Sequence, residues 1–265
     1  MPIGFHGLGR GAIAAAGRLD QATVAYLDAM TSPQTDQAAV RDLDRFVRRL
    51  KEGGAWDKLD LLYRLYGHDD QATRLNLIAP AGYALTKVNS PLFTAWGGWA
   101  DNGGAGYLDS GFNISSAVGR KYAQDDAGFG VGVLSTGKSG NACAGAGANA
   151  LVIACTVSDV LRFRINQTAN RDFAGMVSTP KGVTGVDRTG ANSVQAYRAG
   201  VGGSTVGTSV APGNDTFKVL TNNGVSFSGQ TVGLAWCGQA LGATHQQLMR
   251  DAWVEYVTAR GGSPE

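Results

Sequence analysis

Nine of the chain's 39 glycines fall in residues 1–96, and the other 30 lie from Gly97 onward. Ordinary proteins carry only about 7 % glycine. The later two-thirds of this 265-residue chain must therefore adopt a fold that uses frequent sharp turns. No triplet period accompanies the glycine, which excludes a collagen helix. Short runs rich in Val, Phe and Tyr lie between Gly, Ser, Thr and Asn, a pattern of strands joined by tight turns.

The predicted strands are residues 106–112, 128–135, 150–157, 160–166, 172–179, 183–188, 193–198, 205–210, 216–220 and 231–237. A spacing of about ten residues is that of an antiparallel sandwich or barrel. Asn222-Asn223-Gly224 predicts a turn. The fold class is mainly β, with helices at both ends.

Residues 1–18 are rich in Gly and Ala and lack periodicity, so they read as an arm that orders only against another surface. A helix is predicted over 19–30, with Ala22, Tyr26, Leu27 and Met30 on one side. A second runs to about Glu52, with Thr35 as its N-cap and Asp36 in its first turn. Its apolar stripe is Ala39, Val40, Leu43, Phe46, Val47 and Leu50; Gly53-Gly54 end it. The arginines at 41, 45, 48 and 49 fall on the opposite, solvated face. Alternation through Leu59, Leu61, Tyr63 and Leu65 favours a strand over a helix, and a helical turn follows at 69–75. Thr244 caps a last helix that buries Leu248, Ala252, Trp253 and Tyr256, closed by Gly261-Gly262. The chain divides into residues 1–54, a docking arm with helices, and residues 55–265, a sandwich with a terminal helix.

Charged residues make up 17 % of the chain, the net charge is +2, and no basic run interleaves with aromatics. Nucleic-acid binding is not expected. No run approaches the roughly 18 apolar residues of a membrane span, and the N-terminus lacks the early positive charges of a secretion signal. Cys143, Cys155 and Cys237 have no zinc spacing and read as buried thiols, with a Cys143–Cys155 bridge as the alternative.

Several segments carry a resemblance. They include Lys58-Leu59-Asp60, Leu75-Asn76-Leu77, Val88-Asn89-Ser90-Pro91 and Tyr107-Leu108-Asp109-Ser110-Gly111-Phe112. With "VQAYRAGV" and the closing "GLAWCGQALGATHQQLMRDAWVEYV", they resemble a laminin-G-like, concanavalin A-like domain of bacteriophage and prophage virion proteins, over about residues 40–260. The segment "WGGW", residues 96–99, departs from that pattern. The resemblance implies a jelly-roll of two antiparallel sheets, anchored to other virion proteins through residues 1–54. It implies a place in a tail fibre, tail tip, head fibre or decoration, assembled in the bacterial host cytoplasm. A repeated virion position implies a homo-oligomer, and host surface polysaccharide is the expected ligand class.

Concanavalin A-like sandwiches also house glycoside hydrolases, which need two carboxylates about 5–9 Å apart. Here Glu52, Glu255 and Glu265 are the only glutamates, and all lie outside the predicted strands, as do His6, His68 and His245. No enzyme is expected. "GVGVLSTGKSG" lacks the first glycine and following helix of a phosphate loop. For binding, Trp96, Trp99 and Tyr107 offer aromatic faces beside the polar Asp101 and Asn102, the combination that stacks on and reads a sugar. The alternative places both tryptophans beneath the loop as packing. No organic cofactor is expected. Calcium, held by some laminin-G-like domains, is left open by Asp109, Asp125 and Asp126, with Asp101 and Asn102 nearby.

Overall fold

Helix α1, Gln21–Asp28, begins where the Asp20 side chain accepts a hydrogen bond from Ala22 N at 2.8 Å. Helix α2, Gln37–Glu52, begins at Asp36, which accepts from Ala38 N and Ala39 N. The N-cap expected at Thr35 is thus one residue early; the Asp36 carboxylate reaches the second and third amides of the helix. The computed structural model describes residues 18–154, 156–199 and 201–265. Residues 1–17 of the expected arm, and Cys155 with its possible bridge, lie outside the described residues.

Fifteen strands follow among the described residues: β1 Leu59–Arg64, β2 Thr86–Val88, β3 Leu92–Thr94, β4 Gly98–Ala100, β5 Tyr107–Asn113, β6 Ala127–Val133, β7 Ala144–Ala146 and β8 Ala150–Ile153, then β9 Val160–Ile165, β10 Arg171–Ala174, β11 Gly182–Arg188, β12 Ser193–Arg198, β13 Val201–Val206, β14 Thr216–Val219 and β15 Val232–Gly238. A short α3, Asp70–Arg74, follows β1, and α4, Gly242–Ala259, closes the chain. The strands form two antiparallel sheets facing each other. The first has the order β13-β12-β11-β6-β15-β4-β3, with β1 also on β15; the second is β10-β9-β8-β7-β14-β5-β2.

Three predicted strands shift. The one expected at 205–210 begins at Val201, because Ala199 (φ 47°) turns the chain back at once and pairs Ser193 with Val206. The one expected at 172–179 stops at Ala174, before Gly175 (φ 77°). The one expected at 150–157 stops at Ile153. Strand β7 was not expected, since it contains only Ala and Gly. Alanine suits its place: Ala144 and Ala146 point into the crowded space between the sheets.

Two hydrophobic cores result. One lies between the sheets and holds Phe129, Phe163 and Phe217. The other lies between the outer face of the first sheet and the helices. It joins Tyr26, Phe46 and Leu50 to Leu234, Trp236, Trp253 and Tyr256. Each large apolar side chain moved from water contributes roughly 1.5–3 kcal/mol. A cut at 54/55 would run through this second core.

The close approach of helix to sheet rests on glycine. Gly128, Gly130 and Gly132 occupy the outward positions of β6. A Cβ on Gly130 would lie 2.2 Å from the Trp236 ring and 2.4 Å from Thr184 O. Side chains there would push Trp236 and α4 off the sheet.

The start of α4 is held by β11. Asp187 is fully buried, and its carboxylate accepts from Leu241 N at 3.1 Å, Gly242 N at 2.8 Å and Gln246 Nε2 at 3.0 Å. This replaces the cap expected at Thr244: an acceptor from 54 residues upstream does the work of a local side chain. Burial, the largest influence, pushes the Asp187 carboxyl up to about 6 despite these donors. Nearby, buried Arg64 donates to Tyr26 Oη and Tyr66 O, each at 3.1 Å, and to Tyr256 Oη, joining α1, β1 and α4.

Candidate functional site

The five residues of the expected sugar loop separate in space. Trp99, in β4, is fully buried; its Nε1 donates to Thr73 Oγ1 at 3.0 Å and its ring packs 5.1 Å from Phe93. It leaves no ring face for a sugar, so for Trp99 the packing alternative holds. Trp96 is half-buried on the helix side, its ring edge-on to Tyr66 at 5.5 Å and beneath the Arg260 guanidinium at 5.1 Å. Asp101 is half-buried and Asn102 exposed. Asn102 organises its own loop: Oδ1 accepts from Ala105 N (3.2 Å) and Gly106 N (3.0 Å), and Nδ2 donates to Asn89 O (2.6 Å). Tyr107 lies on the opposite sheet, on the outward side of β5, stacked on Phe227 with centroids 6.1 Å apart.

The aspartates considered for calcium do not converge either. Asp109 Oδ1 accepts from Gly111 N at 2.9 Å. The Asp126 carboxylate accepts from Gln239 Nε2 and, at 3.1 Å, from Ala240 N at the far side of the first sheet, with Asp125 beside it in sequence. Among the described residues no three His, Cys, Asp or Glu side chains form a group that could hold a metal.

A different site emerges on the outer face of the second sheet. In β9, Leu161, Phe163 and Ile165 point inward, which turns Arg162 and Arg164 outward. Their partners on β8 are Ile153 and Leu151, paired directly across as Ile153–Arg162 and Leu151–Arg164. Leu151, Ile153 and Ala142 form a small apolar cluster of their own, outside both cores. They floor a trough of about 330 Å³. One wall carries Arg162, Arg164 and Asn170; the other carries Asn141 and the turn from Asn222 to Ser226.

The walls are fixed before any ligand arrives. Arg162 grips Asp172 with two hydrogen bonds of 2.7 Å, which holds the Asp172 carboxyl below its ordinary range. Arg164 Nε donates to Asn170 Oδ1 at 2.6 Å and Nη1 to Ala148 O at 2.8 Å. Asn222 Nδ2 donates to Gly147 O, and Asn141 Nδ2 to Phe227 O. Asn223 Oδ1 accepts from Val225 N and Ser226 N, shaping the turn. Among the described residues, the other polar atom of each of these amides has no hydrogen-bond partner. The predicted turn at 222–224 is therefore a wall of the trough, and Tyr107 stands behind it: Gly224 lies against the tyrosine ring. The alternation in "VLRFRI" signals outward arginines, but the partners of those arginines come from distant segments and leave no local mark.

No helix among the described residues is long and apolar enough to cross a membrane. No protein-family model matches the chain, and no curated protein matches it. Among solved structures the chain is similar to Trypanosoma rangeli sialidase in complex with sialic acid, at 10 % identity and TM-score 0.48, over 82 % of this chain and 39 % of that one. It is similar to the binding domain of botulinum neurotoxin serotype D, at 7 % identity and TM-score 0.48, over 75 % of this chain and 53 % of that one. It is also similar to domain 4 of an extracellular arabinanase from Geobacillus stearothermophilus in complex with arabinotriose, at 13 % identity and TM-score 0.40, over 72 % of this chain and 98 % of that one. The chain thus spans less than two thirds of the sialidase and toxin chains.

Proposed function

We propose that this chain is a structural protein of a phage particle that displays its sandwich and binds host surface glycan in the trough on the second sheet. The observation that carries the glycan reading is the trough itself. An apolar floor of Leu151 and Ile153 lies between walls of preset amides and guanidiniums. A sugar ring presents an apolar face and a rim of hydroxyls, and this surface matches both. The virion reading is supported by the residues that resemble phage laminin-G-like domains. On this reading the chain holds and touches.

A blocking variant tests the glycan reading. Gly140 is exposed at the rim of the trough, and a Cβ there would meet no atom within 4 Å. Gly140→Trp is expected to abolish hits on a bacterial-glycan array while melting at the wild-type temperature. Hits that survive the variant, or an array without hits, overturn the reading. Mass spectrometry of purified particles tests the virion reading: the chain is expected at a fixed copy number, and its absence overturns that part.

A further inference from the structure

Resting on that reading, we infer that the trough selects acidic saccharides, with Arg164 receiving the sugar carboxylate. The two arginines of β9 differ in how their charge is met. Arg162 is neutralised by the paired Asp172. Arg164 is held only by neutral acceptors, Asn170 Oδ1 and Ala148 O. These occupy Nε and one N–H of Nη1, and Nη2 has no protein acceptor among the described residues. No Asp or Glu lines the trough. One positive charge therefore stands uncompensated at its wall, on a side chain whose position is already fixed.

A guanidinium in this state favours a planar anion that takes two of its N–H groups. The rest of the trough narrows the class. Leu151 pairs directly across from Arg164, so the anion sits beside an apolar floor rather than in open water. A free phosphate would leave that floor and the Asn141, Asn222 and Asn223 amides unused. A hexuronate uses all of them: its carboxylate meets Arg164, its ring covers Leu151, and its hydroxyls reach the amides.

Isothermal titration of the full chain with glucuronate, galacturonate and mannuronate tetramers, each paired with its methyl ester, tests this. Esterification removes the charge and keeps the ring. The wild-type chain is expected to bind at least one acid about tenfold more tightly than its ester, as loss of a charge-assisted fork requires. That preference is expected to disappear in Arg164→Gln and to weaken with added salt. An ester that binds as tightly as its acid overturns the inference and leaves the glycan reading standing. Failure of every acid to bind overturns the inference, and the glycan reading falls with it only if the glycan array is also without hits. The comparison of acid with ester on the wild-type chain holds even if Arg164→Gln perturbs the fold.

Discussion

On the outer face of the first sheet, β6 presents Gly128, Gly130 and Gly132, and Trp236, Trp253 and α4 close over them. On the outer face of the second sheet, β9 presents Arg162 and Arg164, and the trough beside them stays open. Both sheets are antiparallel, and both bury their inner faces in one core. What differs is the outward half of each alternation. Glycine at every second position removes the side chains that would hold a helix away, so that face becomes a second core. Long charged side chains keep their heads in water, so the other face remains a surface. The glycine excess that first suggests turns is, on β6, a packing device.

The largest expected effect lies in the sealed face. Trp253 is fully buried in the helix-side core. Trp253→Ala is expected to lower unfolding free energy by about 3–5 kcal/mol, read by urea denaturation. A loss below about 1 kcal/mol would mean that α4 is not packed as described. Next comes overfilling the same contact. Gly130→Val drives a side chain into Trp236, with an expected cost of about 1–3 kcal/mol. The same substitution at exposed Gly140, on the open face, should change stability by less than about 0.5 kcal/mol.

A pH series sharpens the comparison. Asp187 holds its proton up to about pH 6 in the folded chain, above the ordinary carboxylate value it regains on unfolding. Between about pH 4 and 6 the folded state binds more protons, so stability falls as pH rises through that window, by on the order of 2 kcal/mol. Asp187→Asn should flatten this part of the curve in thermal melts across pH. An unchanged slope would place the titration elsewhere. The open face again responds weakly: Arg162→Ala breaks an exposed pair and should cost less than about 1 kcal/mol, read by urea denaturation.

Alternation and turn chemistry made most of the sandwich legible: the stripe of α2, the strand at Leu59–Arg64 and the positions of β11 and β12 follow from local pattern. The failures share a physical cause. β7 has no β-branched residue, so its strand character comes from neighbours rather than from propensity. The α4 cap comes from Asp187 on a distant strand. The sugar loop joined Trp96, Trp99 and Tyr107 because they are close in sequence, yet a hairpin and a sheet change set them on different layers. The trough escaped notice for the converse reason. Asn141, Leu151, Arg164 and Asn222 meet only through the order of β7, β8, β9 and β14.

The most direct test is an amide chemical-shift titration of the isotope-labelled chain with a hexuronate tetramer that binds it. The account predicts that perturbed amides cluster at Leu151, Ile153, Arg162, Arg164 and the turn from Asn222, while β6, β11 and α4 stay silent. Perturbations centred on Trp96 to Asn102, or on α4, would contradict it.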